Sequence, residues 1–143
     1  MTEATREVVV RGNGVALKQD IASGTSRWTA DEPVANGGTD AGPGPHELLL
    51  SALGACTSMT LTMYAQRKGW PLAGVTVRLH HERVDGPSGI ATRIDREIAL
   101  AGALSDEQRQ RLLEIAERCP VHRTLTSTIA IESRLAAPDP ATV

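Results

Sequence analysis

Two cysteines are the residues of this 143-residue chain whose chemistry stands out. Cys56 lies in the middle of a long uncharged stretch, and Cys119 stands in the segment Arg118-Cys-Pro-Val-His-Arg123. In a reducing compartment, such a pair of thiols is more often catalytic or inert than a structural disulfide. Because only a thiolate is a good nucleophile, each sulfur has to be judged by what could stabilise its charge.

Cys56 is predicted to lie on a long helix from His46 to Lys68. Pro45 suits a first helical turn, and Gly69 suits the turn that ends a helix. No residue between Leu48 and Ala65 is charged, which predicts a helix buried on all sides. Small residues from Ser51 to Ser58 predict close packing against another backbone. A membrane span is the alternative interpretation of this window, but its serines and threonines favour a buried central helix.

Cys119 is predicted to lie at the end of a second helix. This helix should begin at Ser105, which forms a capping box with Gln108, and end at Pro120. Its apolar stripe is predicted to comprise Leu112, Ile115, Ala116 and Cys119. The helix dipole at that end disfavours a thiolate on Cys119, whereas Cys56 lies mid-helix and needs a cation from elsewhere. These positions predict that Cys56 attacks and Cys119 resolves; the simpler alternative is that both are small core residues.

The remaining segments predict an α+β fold with mainly antiparallel pairing. Alternation and turn residues, including the hairpin signal Gly12-Asn13-Gly14, indicate strands at Glu7–Arg11, Val15–Ile21, Arg27–Ala30, Val75–Val84, Ile90–Leu100 and Thr126–Leu135. One domain is expected over residues 1–143. Its predicted parts are N-terminal strands and a glycine- and proline-rich loop (1–44), the central helix (45–69), the later strands with the second helix (70–135) and a frayed tail (136–143). A chain of this size is small for covering so long a helix, which suggests a second subunit.

Composition argues against several classes of function. A net charge of -2 with mixed signs provides no basic patch for nucleic acid or for a membrane surface. Two tryptophans, one tyrosine and no phenylalanine argue against a base-stacking platform. The N-terminus lacks a signal-peptide pattern, so we expect a cytoplasmic protein. Cys119 and His122 have a spacing that could bind zinc together with Cys56, but no fourth ligand pattern accompanies them, and no metal is expected.

The chain resembles the OsmC/Ohr family of osmotically inducible and organic hydroperoxide resistance proteins, in the branch with a Cys-Pro-Val-His motif. The resemblance rests on two segments, Pro45-His-Glu-Leu-Leu-Leu-Ser-Ala-Leu-Gly-Ala-Cys-Thr-Ser-Met-Thr-Leu61 and Ile115-Ala-Glu-Arg-Cys-Pro-Val-His-Arg-Thr-Leu125. It spans about residues 20–135. It implies an OsmC-like swapped homodimer, in which antiparallel sheets from both chains wrap around two long central helices.

The resemblance also implies a thiol-dependent peroxidase. Cys56 would attack an organic hydroperoxide, release the alcohol and become a sulfenic acid, which Cys119 would convert to a disulfide. A dithiol, in the family typically a lipoyl group on a protein, would reduce that disulfide, so no metal or organic cofactor is implied. Two alternatives are a redox sensor, which would form the disulfide but turn over peroxide slowly, and a binding protein for small apolar ligands.

Family members also place a glutamate and an arginine around the reactive thiol. Glu47 matches the glutamate by its place in Pro-x-Glu-Leu-Leu, although an acid in the first turn of a helix is the ordinary alternative. Nine helical residues separate Glu47 from Cys56, or ~13 Å and half a turn out of phase. Glu47 would therefore serve the partner subunit's thiol, unless the helix breaks between them. For the arginine, Arg27 is the first choice and Arg11 the second.

Overall fold

The computed structural model describes residues 6–87, 89–138 and 140. Its elements are β1 (Val9–Arg11), β2 (Gln19–Ser23), β3 (Ser26–Ala30), a 3-10 turn (Val34–Asn36), α1 (Pro45–Lys68), β4 (Leu72–Gly86), β5 (Gly89–Gly102), α2 (Asp106–Ala116) and α3 (Pro120–Leu125). Strands β1, β2 and β3 form one antiparallel sheet in that order, and β4 pairs with β5 in another. The predicted α+β class with antiparallel pairing is confirmed.

The chain divides into two compact units, residues 1–48 with 132–143 and residues 49–131. In the first unit the β1–β2 connection is longer than the predicted hairpin. The side chain of Asn13 accepts hydrogen bonds from the N–H groups of Val15 and Ala16, each at 2.9 Å. These bonds form a turn where the strand was predicted to begin, and β2 begins only at Gln19. Strands β2 and β3 are joined by a tight turn at Gly24, whose φ of 57° is a conformation that glycine adopts without strain.

Asp31 organises the loop that leads to α1. Its carboxylate is 3% exposed and accepts hydrogen bonds from the N–H groups of Glu32, Thr39 and Ala41 and from the Thr39 hydroxyl, at 2.7 to 3.1 Å. These donors, with the Thr39 hydroxyl first, lower the pKa of Asp31 to about 2. One buried carboxylate thus satisfies several backbone donors of the loop before α1. The sequence analysis had described this loop only as rich in glycine and proline.

In the second unit, α1 uses one stripe for packing. Its buried residues recur at helical spacing and are Leu53, Gly54, Thr57, Leu61 and Ala65. A Cβ at Gly54 would lie 2.8 Å from Cδ1 of Leu79 on β4, so this small residue makes room for a side chain, whereas the prediction was close packing against another backbone. Leu61 also joins the core with three residues of α2: Leu112, Ile115 and Ala116.

The prediction that α1 is buried on all sides is wrong for the single chain. Met59 and Met63 lie on the opposite side of α1 from the buried stripe and are 64% and 59% exposed. The reason is that the second unit of one chain covers only one face of the helix. Among the described residues, α1 alone is long and apolar enough to cross a membrane, judged by length and composition only. Core helices of soluble proteins can have the same length and composition.

Pro120 begins a helix rather than ending one. The predicted capping box of Ser105 and Gln108 is confirmed, but α2 ends at Ala116, and α3 follows with Cys119 at its N-cap. Proline is favoured in a first helical turn, since its φ is already helical and no N–H is lost. The dipole argument against a thiolate on Cys119 is therefore wrong, because the sulfur lies at the start of a helix.

The predicted last strand, Thr126–Leu135, is also wrong. Thr126 is the C-cap of α3, and residues 128–138 are neither helix nor strand. A strand requires a neighbour to satisfy its N–H and C=O groups, and within the described residues none pairs with this segment. Its alternating apolar residues are consequently exposed, Ile129 by 53% and Ile131 by 83%.

Candidate thiol site

The second unit brings the two cysteines together. Cys56 on α1 and Cys119 at the N-cap of α3 are both free thiols, and they are neighbours, since Thr57, the residue after Cys56, has its Oγ1 4.0 Å from the sulfur of Cys119. Cys119 is fully buried, whereas Cys56 is half-buried. This difference in exposure gives the two sulfurs unequal access to a reagent from solvent.

The surroundings of Cys56 raise its pKa above the ordinary value of 9.0. Burial is the largest cause, since it disfavours the charged form, and the neighbouring Cys119 adds to the rise. The backbone N–H of Val121 and the hydroxyl of Thr60 oppose it by hydrogen bonding to the sulfur. Among the described residues, none of the groups that shift the pKa of Cys56 is a cation of the kind that favours a thiolate.

Cys119 has a different set of neighbours. Its sulfur accepts the backbone N–H of His122 at 3.2 Å, and Oγ1 of Thr57 lies 4.0 Å away. Thr57 is completely buried, and its hydroxyl donates to the carbonyl oxygen of Leu53 at 2.7 Å. The backbone N–H of His122 is therefore the donor to this sulfur at the start of α3, while the single hydroxyl hydrogen of Thr57 is used by Leu53.

Arg96 on β5 connects this environment to a positive charge. Its Nη1 donates to Oγ1 of Thr57, and its Nη2 lies at hydrogen-bonding distance from Nδ1 of His122, both at 3.1 Å. An arginine can only donate, so Nδ1 of His122 is the acceptor and the ring hydrogen lies on Nε2. That nitrogen is 3.2 Å from Oε2 of Glu117, which accepts the hydrogen. A continuous polar network therefore runs from Glu117 through His122 and Arg96 to Thr57.

The comparison with family models decides the affiliation. Residues 37–134 match the family described as OsmC-like protein. The chain belongs to the OsmC-like family. A search among proteins of curated function gave no match.

Solved structures confirm the fold of this OsmC-like protein. An OsmC-like protein from Mycoplasma pneumoniae is 22% identical with a TM-score of 0.73, covering 87% of this chain and 89% of that chain. An organic hydroperoxide resistance protein OsmC from Legionella pneumophila is 17% identical, with a TM-score of 0.67 and coverage of 88% and 92%. The organic hydroperoxide resistance protein OhrB of Bacillus subtilis is 22% identical, with a TM-score of 0.62 and coverage of 86% and 91%.

Glu47 and Arg27, the other residues predicted for the site, lie in the first unit. Oε1 of Glu47 accepts the N–H of Gly44 at 3.3 Å, so this carboxylate caps the first turn of α1. The helix is unbroken from Pro45 to Lys68, which leaves the partner subunit's thiol as the predicted target of Glu47. Arg27 is exposed on β3, where its guanidinium donates to the carbonyl oxygens of Gly24 and Ser26. The role of Arg27, and of Arg11 on β1, stays a prediction.

Arg96 and Thr57 are the residues that the sequence analysis missed. The signal for Arg96 lies in the alternation of β5, where Ile94, Ile98 and Leu100 share the less exposed face of the strand. Arg96 occupies the position between Ile94 and Ile98 on that same face and is half-buried. Charged residues are seldom buried without a partner, so an arginine on the apolar face of a strand indicates a specific polar contact.

A cavity of about 400 Å³ lies beside the network. Arg96 and His122 line it together with Leu53, Ile94, Ile98 and Leu125. It thus combines apolar walls with several polar side chains, which also include Thr92, Glu117 and Thr126, and this mixture is usual in a small-molecule site. Among the described residues, no cluster of three or more His, Cys, Asp or Glu side chains is arranged to hold a metal ion.

Proposed function

We propose that this OsmC-like protein is a thiol-dependent peroxidase that reduces organic hydroperoxides to alcohols. The observation that carries the proposal is the proximity of a half-buried Cys56 and a fully buried Cys119 in one unit, where Thr57 beside Cys56 lies 4.0 Å from the Cys119 sulfur. A peroxide from solvent would meet Cys56 first, because Cys119 is buried, and the second thiol is a neighbour of the first. The names of the solved relatives, which include organic hydroperoxide resistance proteins, agree with this chemistry.

The proposed reaction has three steps. The sulfur of Cys56 attacks the distal oxygen of the hydroperoxide, the O–O bond breaks, and the alkoxide takes up a proton and leaves as the alcohol. The sulfur of Cys119 then attacks Cys56 sulfenic acid, so that an S–S bond forms and hydroxide leaves as water after protonation. An external dithiol finally reduces the disulfide through a mixed disulfide and is itself oxidised. A lipoyl group on a protein is the proposed physiological dithiol.

We also propose that the active form is a cytoplasmic homodimer. The exposed apolar face of α1, with Met59 and Met63, supports this assembly, because a second copy would cover it. The raised pKa of Cys56 supports it as well, since the missing activating charge would come from the partner. Glu47 is proposed to act there, on the partner subunit's thiol, and Arg27 is the first choice for the arginine that activates the thiol.

Steady-state reduction of cumene hydroperoxide with a dithiol reductant tests the function. The wild type should turn over, Cys56→Ser should lose turnover, and Cys119→Ser should consume about one equivalent of peroxide per thiol before slowing. Ser58→Ala, two residues further along α1, is the matched control and should retain activity. A redox sensor would form the disulfide without turnover, and a ligand-binding protein would do neither; both results would contradict the proposal.

A further inference from the structure

We propose that the cavity beside Arg96 binds a small amphiphilic carboxylate, whose charged end lies on the guanidinium and whose apolar chain lies between leucine and isoleucine side chains. This site is beside the two thiols rather than at them, because neither Cys56 nor Cys119 lines the cavity. Binding of such a ligand is a property of the resting protein and does not depend on the proposed peroxidase activity.

The walls of the cavity suit an apolar chain. They come from α1, β5, α2 and α3, and their apolar members are Leu53, Ile94, Ile98, Leu113 and Leu125. The volume of about 400 Å³ lies at the lower end of the range of ~300–1,000 Å³ that is usual for small-molecule sites. A carboxylate with a chain of medium length, such as octanoate, is therefore a suitable probe.

Arg96 supplies the polar end of the site. A guanidinium has five N–H donors, and Arg96 uses two of them, toward Oγ1 of Thr57 and toward Nδ1 of His122. In the part of the chain that the structure describes, no carboxylate lies within 4.0 Å of this half-buried guanidinium. Charged side chains are seldom buried without a partner, so a ligand that brings an anion satisfies this arginine.

The charges around the cavity favour a carboxylate over a dianion such as a phosphate monoester. Within the described residues Arg96 is the one arginine or lysine that lines the cavity, and its planar fork can hold both oxygens of a carboxylate. Glu117 also lines the cavity and adds a negative charge. Its side chain is 65% exposed and its Oε2 lies 3.2 Å from Nε2 of His122, so it weakens the binding of an anion without preventing it.

Isothermal titration calorimetry with octanoate, 1-octanol and acetate tests the site. Octanoate should bind the wild type saturably, and the other two compounds should bind about tenfold more weakly or less, since octanol lacks the charge and acetate lacks the chain. Arg96→Met should weaken octanoate binding about tenfold and leave octanol binding nearly unchanged. Arg96→Lys should retain part of the preference for octanoate, because it keeps the charge but not the fork.

Two further variants separate the local charges. Arg93→Met is the matched control on the same strand, because Arg93 is exposed and pairs with Glu82 and Asp95. Its loss should leave octanoate binding unchanged. Glu117→Gln should strengthen octanoate binding about twofold and leave octanol binding unchanged, because it removes a like charge while the amide oxygen can still accept from His122.

Three results would overturn the proposal. Equal affinity for octanoate and octanol would show that no charge is recognised. Octanoate binding that Arg96→Met leaves in place would indicate another surface, such as the exposed apolar face of α1. An absence of saturable octanoate binding, including the case in which a second copy of the chain fills the cavity, would do so as well. Circular dichroism separates lost binding from misfolding, and Arg96→Lys and Glu117→Gln keep the test decisive if Arg96→Met does not fold.

Cys56→Ser distinguishes this site from the proposed peroxidase. The variant should lose turnover of cumene hydroperoxide and bind octanoate as the wild type does, since Cys56 does not line the cavity. If the protein does not reduce peroxides, octanoate binding still stands. If octanoate does not bind, peroxidase activity can persist, so the two proposals fail separately.

Discussion

Nη2 of Arg96 lies 3.1 Å from Nδ1 of His122, and this contact determines which ring nitrogen carries the hydrogen. We predict that nitrogen-15 spectra of the neutral ring report the Nε2–H tautomer almost exclusively. In Arg96→Met the preference should weaken, because Nδ1 loses its donor while Glu117 keeps its contact with Nε2. Arg93→Met should leave the spectrum unchanged, and a dominant Nδ1–H tautomer in the wild type would contradict the hydrogen-bond assignment.

The pKa of Asp31 predicts a dependence of stability on acid. Its carboxyl has a pKa of about 2 in the folded chain against 3.8 ordinarily, so the unfolded state binds the proton more readily. The stabilisation is therefore fully present above pH 3.8 and is lost as the pH falls through that value toward 2. Asp31→Asn should lower the urea midpoint at neutral pH and flatten its decline in this acid range.

Asp40→Asn is the matched control for Asp31. Asp40 lies in the same loop with a φ of 57°, a conformation that asparagine also tolerates. This substitution should leave both the urea midpoint at neutral pH and its acid dependence close to the wild type. An equally flat acid profile in Asp40→Asn would show that Asp31 is not the group responsible.

Alanine substitutions at Gly102 and Gly69 are predicted to lower the free energy of unfolding by different amounts. Both have positive φ, 127° at Gly102 and 69° at Gly69, but a Cβ at Gly69 would meet open space. A Cβ at Gly102 would collide with the backbone carbonyl oxygen of Pro71. We expect Gly69→Ala to lower the free energy of unfolding by ~1 kcal/mol and Gly102→Ala by ~3 kcal/mol or more. Chemical denaturation measures both, and equal losses would contradict the steric argument.

The exposed face of α1 predicts the effect of a charge on assembly. Met59→Asp and Met63→Asp each place a carboxylate on the apolar face that a second copy would cover, so each should shift a dimer toward monomer. Sedimentation velocity over a range of concentrations measures the change. Val15→Asp is the control, since Val15 is 91% exposed in the β1–β2 turn and should not alter the mass. A wild type that sediments as a monomer at all concentrations would contradict the homodimer.

The sequence predicted those elements whose ends are defined by local chemistry. Pro45 and Gly69 placed α1 within one residue of its observed bounds, and the Ser105 hydroxyl located the start of α2. The prediction that α2 extends to Pro120 failed because proline is common at two positions. It occurs just after the end of a helix and also as the first residue of a helix. The distinction depends on whether the chain continues into a new turn, and here Cys119 caps that turn.

The parts that could not be predicted depend on distant segments. The alternation in Thr126–Leu135 is typical of a strand, but a strand forms only where another edge accepts its hydrogen bonds. The arginine choices Arg27 and Arg11 precede α1 and stay predictions, while Arg96, which lies after α1, was not considered. Its contacts with Thr57 and His122 join three separate elements, so spacing along the chain gives no hint of them.

The two tryptophans are distributed in a way that makes each unit observable by itself. Trp28 lies on β3 in the first unit, whereas Trp70 follows α1 in the second and meets Tyr64 edge to face, with ring centroids 5.5 Å apart. Replacing either tryptophan by phenylalanine leaves a single indole, and its fluorescence under selective excitation reports on the unit that contains it. Melting curves from the two single-tryptophan proteins would therefore reveal whether the thiol-bearing half and the N-terminal sheet lose structure together or in succession.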